Sequence, residues 1–327
     1  MGAASGPNQF WQLFTLPAAG TRWSLVTPPE VPTNGALVIA PLGGAALAAG
    51  IRPALALHYS PVTATGDGGQ TWAAGPVNAG LADVPDAVAA SADGRLLALD
   101  AGGQVVTATL HDTSWATLAS EQALAGTPAG RGCGLAGLTA AAYTPQGTPL
   151  LAGACTRPGT AGIFAGAGRT WRASGPALPA PLAGQAVQVL RLTRTGARDT
   201  ALLQAGTGAA AVLLAAWSAD GSHWTVSAPM RLAGQQVQSA SLGTSGAVAV
   251  TLSGNRADTI AGPGSAWQAL PALPAGRTVT LALPATGGID ALAAAGSKLS
   301  VWRLGSGPAA WTRTQTIHVP VQYGSSS

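Results

Sequence analysis

Charged side chains are the scarcest feature of this 327-residue chain. It has 16 Lys and Arg and 12 Asp and Glu residues, or 9% in total, against roughly 25% in an ordinary soluble domain. The scarcity of Glu and Lys excludes a coiled coil, and a hydrophobic fraction of 47% excludes a disordered chain. The 45 glycines follow no strict period, which excludes a collagen-like fibre. What remains is a large globular protein punctuated by glycine turns.

Clustered cations are also lacking, although the isoelectric point is about 9.7. Lysine occurs once, at Lys298, the arginines are scattered singly, and the net charge is only +4. Binding to phosphate backbones needs clustered cations, so we do not expect nucleic acid as a partner.

Low charge leaves two long uncharged windows, Val31–Ile51 and Thr200–Ala219. Each is long enough to cross a membrane as a helix, but each has turn-forming residues in its middle. We therefore predict two short strands in each window and no membrane span. The N-terminal sequence MGAASGPNQF has no basic region followed by an apolar stretch, so no signal peptide is visible.

Only two cysteines are present, Cys133 and Cys155. Two apolar runs lie between them on either side of Thr144–Gly147, a pattern typical of a hairpin that brings the cysteines together. We favour a disulfide over two buried thiols, and with it a secreted or cell-surface protein whose signal or anchor has been removed. The four histidines are far apart, so we predict no metal site, and we expect no cofactor.

Tryptophan organises the chain into repeats. Seven tryptophans are separated by 49, 43, 56, 53, 43 and 44 residues, at Trp23, Trp72, Trp115, Trp171, Trp224, Trp267 and Trp311. In five of the seven cases a glycine stands three positions before the tryptophan. Such a period is the signature of a repeat architecture.

Each interval divides into four short apolar runs bounded by turn residues. The clearest unit is Asp86–Ser120, and the same order recurs in Gly134–Gly175, Ala186–Ala228, Val237–Pro271 and Thr278–Ile317. Gly94, Gly147, Gly196, Gly246 and Gly287 mark the first turn of these units. No stretch has a helical apolar period with caps. Four-stranded units of about 45 residues are typical of propeller blades.

One turn carries a family resemblance. Thr65-Gly66-Asp67-Gly68-Gly69-Gln70-Thr71-Trp72 resembles the Asp box of BNR-repeat propellers, which occurs in sialidases, photosystem II assembly-factor-like propellers and certain glucanases. Ser218–Trp224 is a shortened version that keeps Ser218, Asp220 and Trp224. The carboxylate is suited to accept backbone N–H bonds within the turn, and the tryptophan to pack between blades. We therefore assign Thr65, Asp67, Gly69, Thr71, Trp72, Ser218, Asp220 and Trp224 structural roles.

Seven tryptophan motifs predict an all-β, seven-bladed propeller of four-stranded antiparallel blades. The first blade is incomplete, because nothing precedes its third and fourth strands, Phe10–Leu16 and Arg22–Thr27. We expect His318–Tyr323 to supply its inner strand and close the ring. A six-bladed ring with an extra N-terminal hairpin is the alternative. The predicted domain is a monomer spanning residues 8–323, with flexible termini at 1–7 and 324–327.

Nearly half of the charges fall on one predicted face, formed by the connections between blades and the turns between second and third strands. In the families that the chain resembles, ligands sit near the axis on this face. Simple solvation of loop charges is the plain interpretation, and a binding face for anionic or hydroxylated ligands is the functional one. The candidate binding residues are Arg52, Arg131, Arg157, Arg231, Arg256, Asp258 and Arg277.

Catalysis is the second hypothesis. The chain has only three tyrosines and two glutamates and lacks the Phe/Tyr-Arg-Ile-Pro motif expected of a sialidase. A glucanase-like mechanism needs two carboxylates flanking the bond, and the weak candidates are Asp83, Asp86, Asp100 and Glu30. We therefore predict an exported, non-enzymatic module that engages a protein or glycan, with a glycoside hydrolase as the alternative.

Overall fold

The described part of the chain is all-β apart from a few short helices. The computed structural model describes residues 2–5, 10–17, 20–27, 36–43, 46–52, 60–79, 88–109, 114–168, 170–275, 278–295, 298–305 and 310–318. Within these residues, no helix has the length and apolar character needed to cross a bilayer.

The strands of the first half are short and follow the turn residues seen in the sequence. They are β1 (Gly2–Ser5), β2 (Phe10–Thr15), β3 (Ser24–Leu25), β4 (Ala36–Gly43), β5 (Ala46–Arg52), β6 (Ser60–Thr65), β7 (Ala73–Ala79), β8 (Val88–Ala90), β9 (Arg95–Leu99), β10 (Gln104–Thr109), β11 (Ala116–Ser120), β12 (Leu135–Tyr143), β13 (Pro149–Cys155), β14 (Gly162–Ala167) and β15 (Thr170–Ala173).

The second half repeats the pattern. Its strands are β16 (Val187–Thr195), β17 (Arg198–Ala205), β18 (Val212–Ser218), β19 (Trp224–Val226), β20 (Met230–Arg231), β21 (Val237–Leu242), β22 (Val248–Leu252), β23 (Arg256–Ile260), β24 (Gln268–Ala269), β25 (Thr278–Ala282), β26 (Ile289–Ala295), β27 (Lys298–Leu304) and β28 (Thr312–His318). Strand pairs β4–β5 and β17–β18 account for much of the two long uncharged windows, as predicted.

The strands form antiparallel sheets in sequence order. Four sheets have four strands each: β4–β7, β8–β11, β21–β24 and β25–β28. A nine-stranded sheet contains two further four-stranded units, β12–β15 and β16–β19, together with β20. Two residue pairs between β13 and β16 join these units, Ala154 with Gln188 and Cys155 with Val187. A three-stranded sheet, β1–β3, stands at the N-terminus.

The N-terminal sheet differs from the sequence-based expectation. Strand β1 precedes β2 and pairs with it from Gly2–Leu13 to Ser5–Phe10, where no preceding strand was predicted. It lies within the segment 1–7 that was expected to be a flexible terminus. His318 belongs to the outer strand β28, where it pairs with Lys298. The rest of the predicted closing strand, 319–323, lies outside the described residues, as does the segment 324–327.

Two short helices were missed by the sequence analysis. They are α1 (Glu121–Ala125) and α2 (Pro128–Cys133), and they connect β11 to β12. The side chains of Ser120 and Thr127 cap them by accepting N–H bonds from Ala123 and Gly130. Helices of five and six residues are too short to show an apolar period, so only their caps and Pro128 signalled them.

The disulfide between Cys133 and Cys155 is present, with a Cα–Cα distance of 5.2 Å. It links the end of α2 to the end of β13. The hairpin between the cysteines is formed by β12 and β13, which pair from Leu135–Cys155 to Tyr143–Pro149. The structure thus confirms both the hairpin and the bridge.

Four of the seven repeat tryptophans pack against the unit that precedes them. Trp171 packs against buried residues of the β8–β11 sheet, and Trp224 against those of β12–β15. Trp267 and Trp311 likewise contact the unit that precedes them. Their indole N–H groups donate to the preceding unit at the Ser227 Oγ and the Pro271 carbonyl oxygen, both at 3.3 Å.

Trp23 extends this pattern across the two ends of the chain. It packs with Phe14 against Leu292 and other buried residues of the last sheet. Its backbone N–H donates to Gln315 Oε1 at 2.8 Å, and Gln315 Nε2 donates to the Trp23 carbonyl oxygen at 2.9 Å. On its other side, the N-terminal sheet contacts the second, because Thr15 Oγ1 donates to the carbonyl oxygen of Gly68 at 3.0 Å. The sheets therefore form a closed ring.

Candidate functional site

The ring has two faces that differ in chemistry. We call loop face the side formed by turns between second and third strands and by connections between units. We call turn face the opposite side, which carries the turns between first and second and between third and fourth strands. Arg131, Arg157 and Arg231 lie on the loop face, and the Thr65–Trp72 and Ser218–Trp224 turns lie on the turn face.

Three predicted loop-face arginines are exposed: Arg131 in α2, Arg157 after β13 and Arg231 in β20. None of them forms an ion pair within the described chain. Arg131 donates to the carbonyl oxygen of Gly126. The backbone N–H of Arg157 donates to the Cys133 carbonyl oxygen, which places it beside the end of α2. Arg52 ends β5, and Arg277 lies outside the described residues.

Arg256 and Asp258 form an ion pair with each other. The Arg256 Nε lies 2.7 Å from Asp258 Oδ2, and the carboxyl side chain is buried. The structure therefore does not offer Asp258 as an exposed ligand group on the loop face.

The acidic candidates for catalysis are not brought together in the described residues. Asp100 accepts N–H bonds from Gly102 and Gln104, both at 2.8 Å, and so holds the turn between β9 and β10. Glu30, Asp83 and Asp86 lie outside the described residues. Within the described residues, no group of three His, Cys, Asp or Glu side chains has the arrangement needed to hold a metal ion.

Asp67 organises the turn between β6 and β7. Its Oδ1 accepts the backbone N–H groups of Gln70 and Thr71, both at 2.9 Å, and its Oδ2 accepts the Thr71 hydroxyl at 2.6 Å. Thr65 donates to the same carboxylate at 2.7 Å. These bonds, led by the Thr71 hydroxyl, lower the pKa of Asp67 well below its usual range. Gly69 has φ +93 and faces Val26 of the N-terminal sheet, so a side chain there is excluded.

Asp220 does the same between β18 and β19. Its Oδ1 accepts the backbone N–H groups of Ser222 and His223, both at 2.8 Å, and its Oδ2 lies 2.6 Å from His223 Nδ1. The bonds from His223 are the main cause of a lowered pKa for this carboxyl group. Trp224 then donates its indole N–H to the Ser174 carbonyl oxygen at 2.7 Å. Both turns hold the fold and leave no carboxylate free for chemistry.

A cavity of about 220 Å³ opens on the turn face, where the first strands of several units end. Its lining comes from β4, β8, β12 and β16, with Thr244 after β21. Nearly all of these residues are apolar or small, including Ile39, Pro41, Val88, Ala142 and Leu192. Among the described residues that line it, Arg194 is the only charged one.

Arg194 pairs in register with Asp199 of β17, yet their side chains do not form an ion pair. The Asp199 carboxyl is fully buried, and neither of its oxygens has a hydrogen-bond partner. Burial raises the pKa of Asp199 to about 7, while Arg194 opposes the rise and Asp220 adds to it. The Asp199 carboxyl group is therefore largely protonated at mildly acidic pH.

Asp290 occupies the corresponding position of the last unit, and both of its carboxylate oxygens have hydrogen-bond partners. Arg303 donates to both of its oxygens, at 2.7 and 2.8 Å, and the Trp23 indole N–H donates at 3.0 Å. The bonds with Asp290 raise the pKa of Arg303. The residue opposite Asp199 in β18 is Ser218, which cannot supply a charge.

Comparison with known proteins supports the architecture. No protein-family model matches the chain, and no curated protein sequence matches it. Among solved structures, a protein from Lactobacillus plantarum has a TM-score of 0.57 at 12% identity, covering 98% of this chain and 97% of that chain. The β-propeller domain of Cps50 (Swd1) from Myceliophteria thermophila has a TM-score of 0.56 at 13% identity, covering 88% of each chain. The chain has a β-propeller fold.

A third similar structure is a GH74 xyloglucanase from Xanthomonas campestris. Its TM-score is 0.55 at 12% identity, and the match covers 92% of this chain but 49% of that chain. At such low identity the similarity extends to the propeller fold and not to the chemistry of any site.

The propeller also has an uncharged cleft between its last two units on the turn face. The cleft has a volume of about 440 Å³ and is lined by turn residues such as Ser245, Ala261, Pro284 and Gly305. Thr244, Ser245, Thr259 and Gln268 supply its polar side chains.

Sequence analysis of the propeller missed Arg194 and Asp199. A signal was nevertheless present: Asp199 stands three residues after the turn glycine Gly196. The equivalent residues after the other turn glycines are Leu97, Leu150, Ala249 and Asp290. A carboxylate at a position that is apolar in three of five units marked this blade as unusual.

Proposed function

We propose that this propeller is an exported, non-catalytic binding module whose loop face engages a partner protein with an acidic surface. The observation that carries this proposal is the contrast between cations and carboxylates. Arg131, Arg157 and Arg231 are exposed and without ion-pair partners in the described residues. Such exposed cations speed association with acidic partners and select among them.

The described carboxylates are each hydrogen-bonded, ion-paired or buried. Asp67, Asp100 and Asp220 hold turns, and Glu121 accepts the Leu138 N–H at 3.0 Å. The remaining described ones are Asp93, which accepts from Arg95, the paired Asp258 and Asp290, and the buried Asp199. A hydrolase needs two carboxylates that are free to reach a substrate, so this distribution favours binding over hydrolysis.

Blade number and turn type belong to the same proposal. We infer seven blades, counting the two units of the nine-stranded sheet separately and the three-stranded N-terminal sheet as the first. The Asp67 and Asp220 hydrogen bonds support an Asp-box identity for both turns. The disulfide supports an oxidising location outside the cytoplasm, either secreted or at the cell surface.

Charge-matched variants test the proposed loop face. One variant carries Arg131→Gln, Arg157→Gln and Arg231→Gln, and its control carries Arg22→Gln, Arg172→Gln and Arg198→Gln. The control removes the same charge from exposed arginines elsewhere. Binding to an immobilised poly-glutamate peptide, measured by biolayer interferometry, should weaken about tenfold or more in the first variant only. It should also weaken as ionic strength rises.

The same experiment separates the alternatives. Equal losses in both triple variants would show that net charge, and not the loop face, drives binding. Preferential binding to a sulfated oligosaccharide would reassign the partner to a glycan. Release of reducing ends from an oligosaccharide panel, abolished in Asp100→Asn, would establish a glycoside hydrolase instead.

A further inference from the structure

The turn-face cavity is lined by several blades and by one described charged residue, Arg194. Its walls come from the ends of the first strands of neighbouring blades, at Ile39–Pro41, Val88–Ala90, Ala141–Tyr143 and Leu192–Arg194. These strand ends lie at the opposite end of the axis from the loop face. The cavity is therefore independent of the partner surface proposed above.

Arg194 occupies a position where four other blades have a small side chain. The strand pairings place it in the same register as Ala89, Ala142, Ser241 and Ala282, each opposite the third residue after its turn glycine. Ala89 and Ala142 line the same cavity as Arg194. A large cation in a ring of small side chains fills no packing need that alanine does not already meet in the neighbouring blades.

Within the described residues, no group is bonded to the Arg194 guanidinium, whose charge acts on Asp199 only at a distance. The guanidinium makes no hydrogen bond and no ion pair in the described structure, and it is neither fully buried nor fully exposed. Its register partner Asp199 is fully buried with both oxygens unpartnered. In the last blade, by contrast, Arg303 binds Asp290 through two nitrogens. Arg303 thus neutralises a buried carboxylate within its own blade, whereas Arg194 does not.

We propose that this cavity binds a carboxylate carried on a short apolar stem, with Arg194 as the anchor. A planar guanidinium favours a carboxylate because two parallel N–H bonds reach its two oxygens. One arginine balances one negative charge, which favours a carboxylate over a doubly charged phosphate monoester. Ile39, Val88 and Leu192 supply apolar walls for the stem.

Cavity size limits what the stem is. A volume of about 220 Å³ is below the roughly 300 to 1,000 Å³ of pockets that take drug-sized ligands. It therefore accepts a small aliphatic acid or the carboxyl terminus of a chain. Thr193 and Thr244 add hydroxyl groups to the lining for the remaining carboxylate lone pairs.

Calorimetric titration of the whole protein tests this site. The probes are butanoate and hexanoate, with butanol and butylamine as analogues of matched shape but different charge. A second pair of probes is a Gly-Val-Val peptide with a free or an amidated C-terminus. We expect saturable binding of carboxylates and none of the alcohol or the amine. Binding of only the small acids, or of the free peptide but not the amidated one, identifies which source of carboxylate the site takes.

Variants locate the binding. Arg194→Gln should weaken carboxylate binding about tenfold or more, since a charge-assisted bidentate contact is lost. Arg194→Lys should retain part of it. Arg198→Gln is the matched control, because Arg198 is exposed on the same hairpin and does not line the cavity.

Several results would overturn the proposal. They are an alcohol that binds as well as its carboxylate, a carboxylate that shows no saturable binding, and unchanged affinity in a folded Arg194→Gln protein. The ligand comparison uses only the wild-type protein, so it remains decisive if Arg194→Gln does not fold.

Discussion

At the scale of single residues, buried carboxylates show how the same side chain has opposite consequences in two blades. Asp290 is stabilised by Arg303 and Trp23, whereas Asp199 has no hydrogen-bond partner and burial raises its pKa to about 7. The difference comes from the residue opposite in the third strand, Arg303 in one blade and Ser218 in the other. Burying a charged group away from solvent is costly unless a partner of opposite charge compensates it.

Asp199 gives a prediction for the pH dependence of stability. Its pKa is about 7 in the folded protein against 3.8 for the free side chain. Between these values the folded chain holds a proton that the unfolded chain has lost, so the free energy of unfolding should fall as pH rises from about 4 to 7. The slope should approach roughly 1.4 kcal/mol per pH unit at most. Urea unfolding across this range measures it.

Substitution isolates the contribution of Asp199 from that of other groups. The difference in unfolding free energy between wild type and Asp199→Asn should carry this slope, because carboxylates with lowered pKa values act below pH 4. Asp290→Asn is the control, and it should destabilise the protein at neutral pH by leaving Arg303 without a charged partner. A difference that does not vary with pH would show that Asp199 ionises normally.

At the scale of elements, turns and short strands follow from local sequence, but the connection at residues 121–133 does not. The turn glycines Gly94, Gly147, Gly196, Gly246 and Gly287 all have positive φ, as turns between first and second strands require. Helices α1 and α2 bury little more than Leu124, Gly130 and Cys133. Their helical state depends on caps, on the disulfide and on packing against β12, which no periodicity reveals.

The disulfide gives a prediction at this scale. Replacing Cys133 and Cys155 by alanine should lower the free energy of unfolding by about 3 kcal/mol, because the bridge closes a loop across 22 residues of sequence. Guanidinium unfolding with and without reductant checks it. Wild type with reductant should match the double variant, and the double variant should not respond to reductant. Equal stability of all four samples would show that the bridge does not stabilise the fold.

At the scale of the whole molecule, ring closure depends on residues far apart in sequence. Trp23 and Gln315 are joined by two hydrogen bonds, and Trp23 packs on the last sheet. The N-terminal sheet therefore contacts both of its neighbours and buries apolar surface against the last sheet.

Trp23→Ala tests the closure. It should destabilise the protein by about 3 kcal/mol, because it removes packing against Leu292 and a hydrogen bond to Asp290. Trp23→Phe should cost less, since most of the packing remains. Thermal unfolding and amide hydrogen exchange measure the effect, with exchange rising first in the first and last sheets. Exchange that rises uniformly would contradict a closure that depends on this contact.

The repeat, the four-stranded units, the turn positions and the disulfide could all be predicted from the amino-acid sequence. These depend on local rules, since alternation, turn glycines and evenly spaced tryptophans act within about 45 residues. The N-terminal strand pairing, the joining of two units through β13 and β16, and the position of Arg194 opposite Asp199 became visible only in the folded molecule. Each of these joins residues whose proximity depends on strand register or ring closure. Charged residues are scarce because most strands are packed between neighbouring blades. The buried exceptions Asp199, Asp258 and Asp290 could be interpreted only when their neighbours in the fold were known.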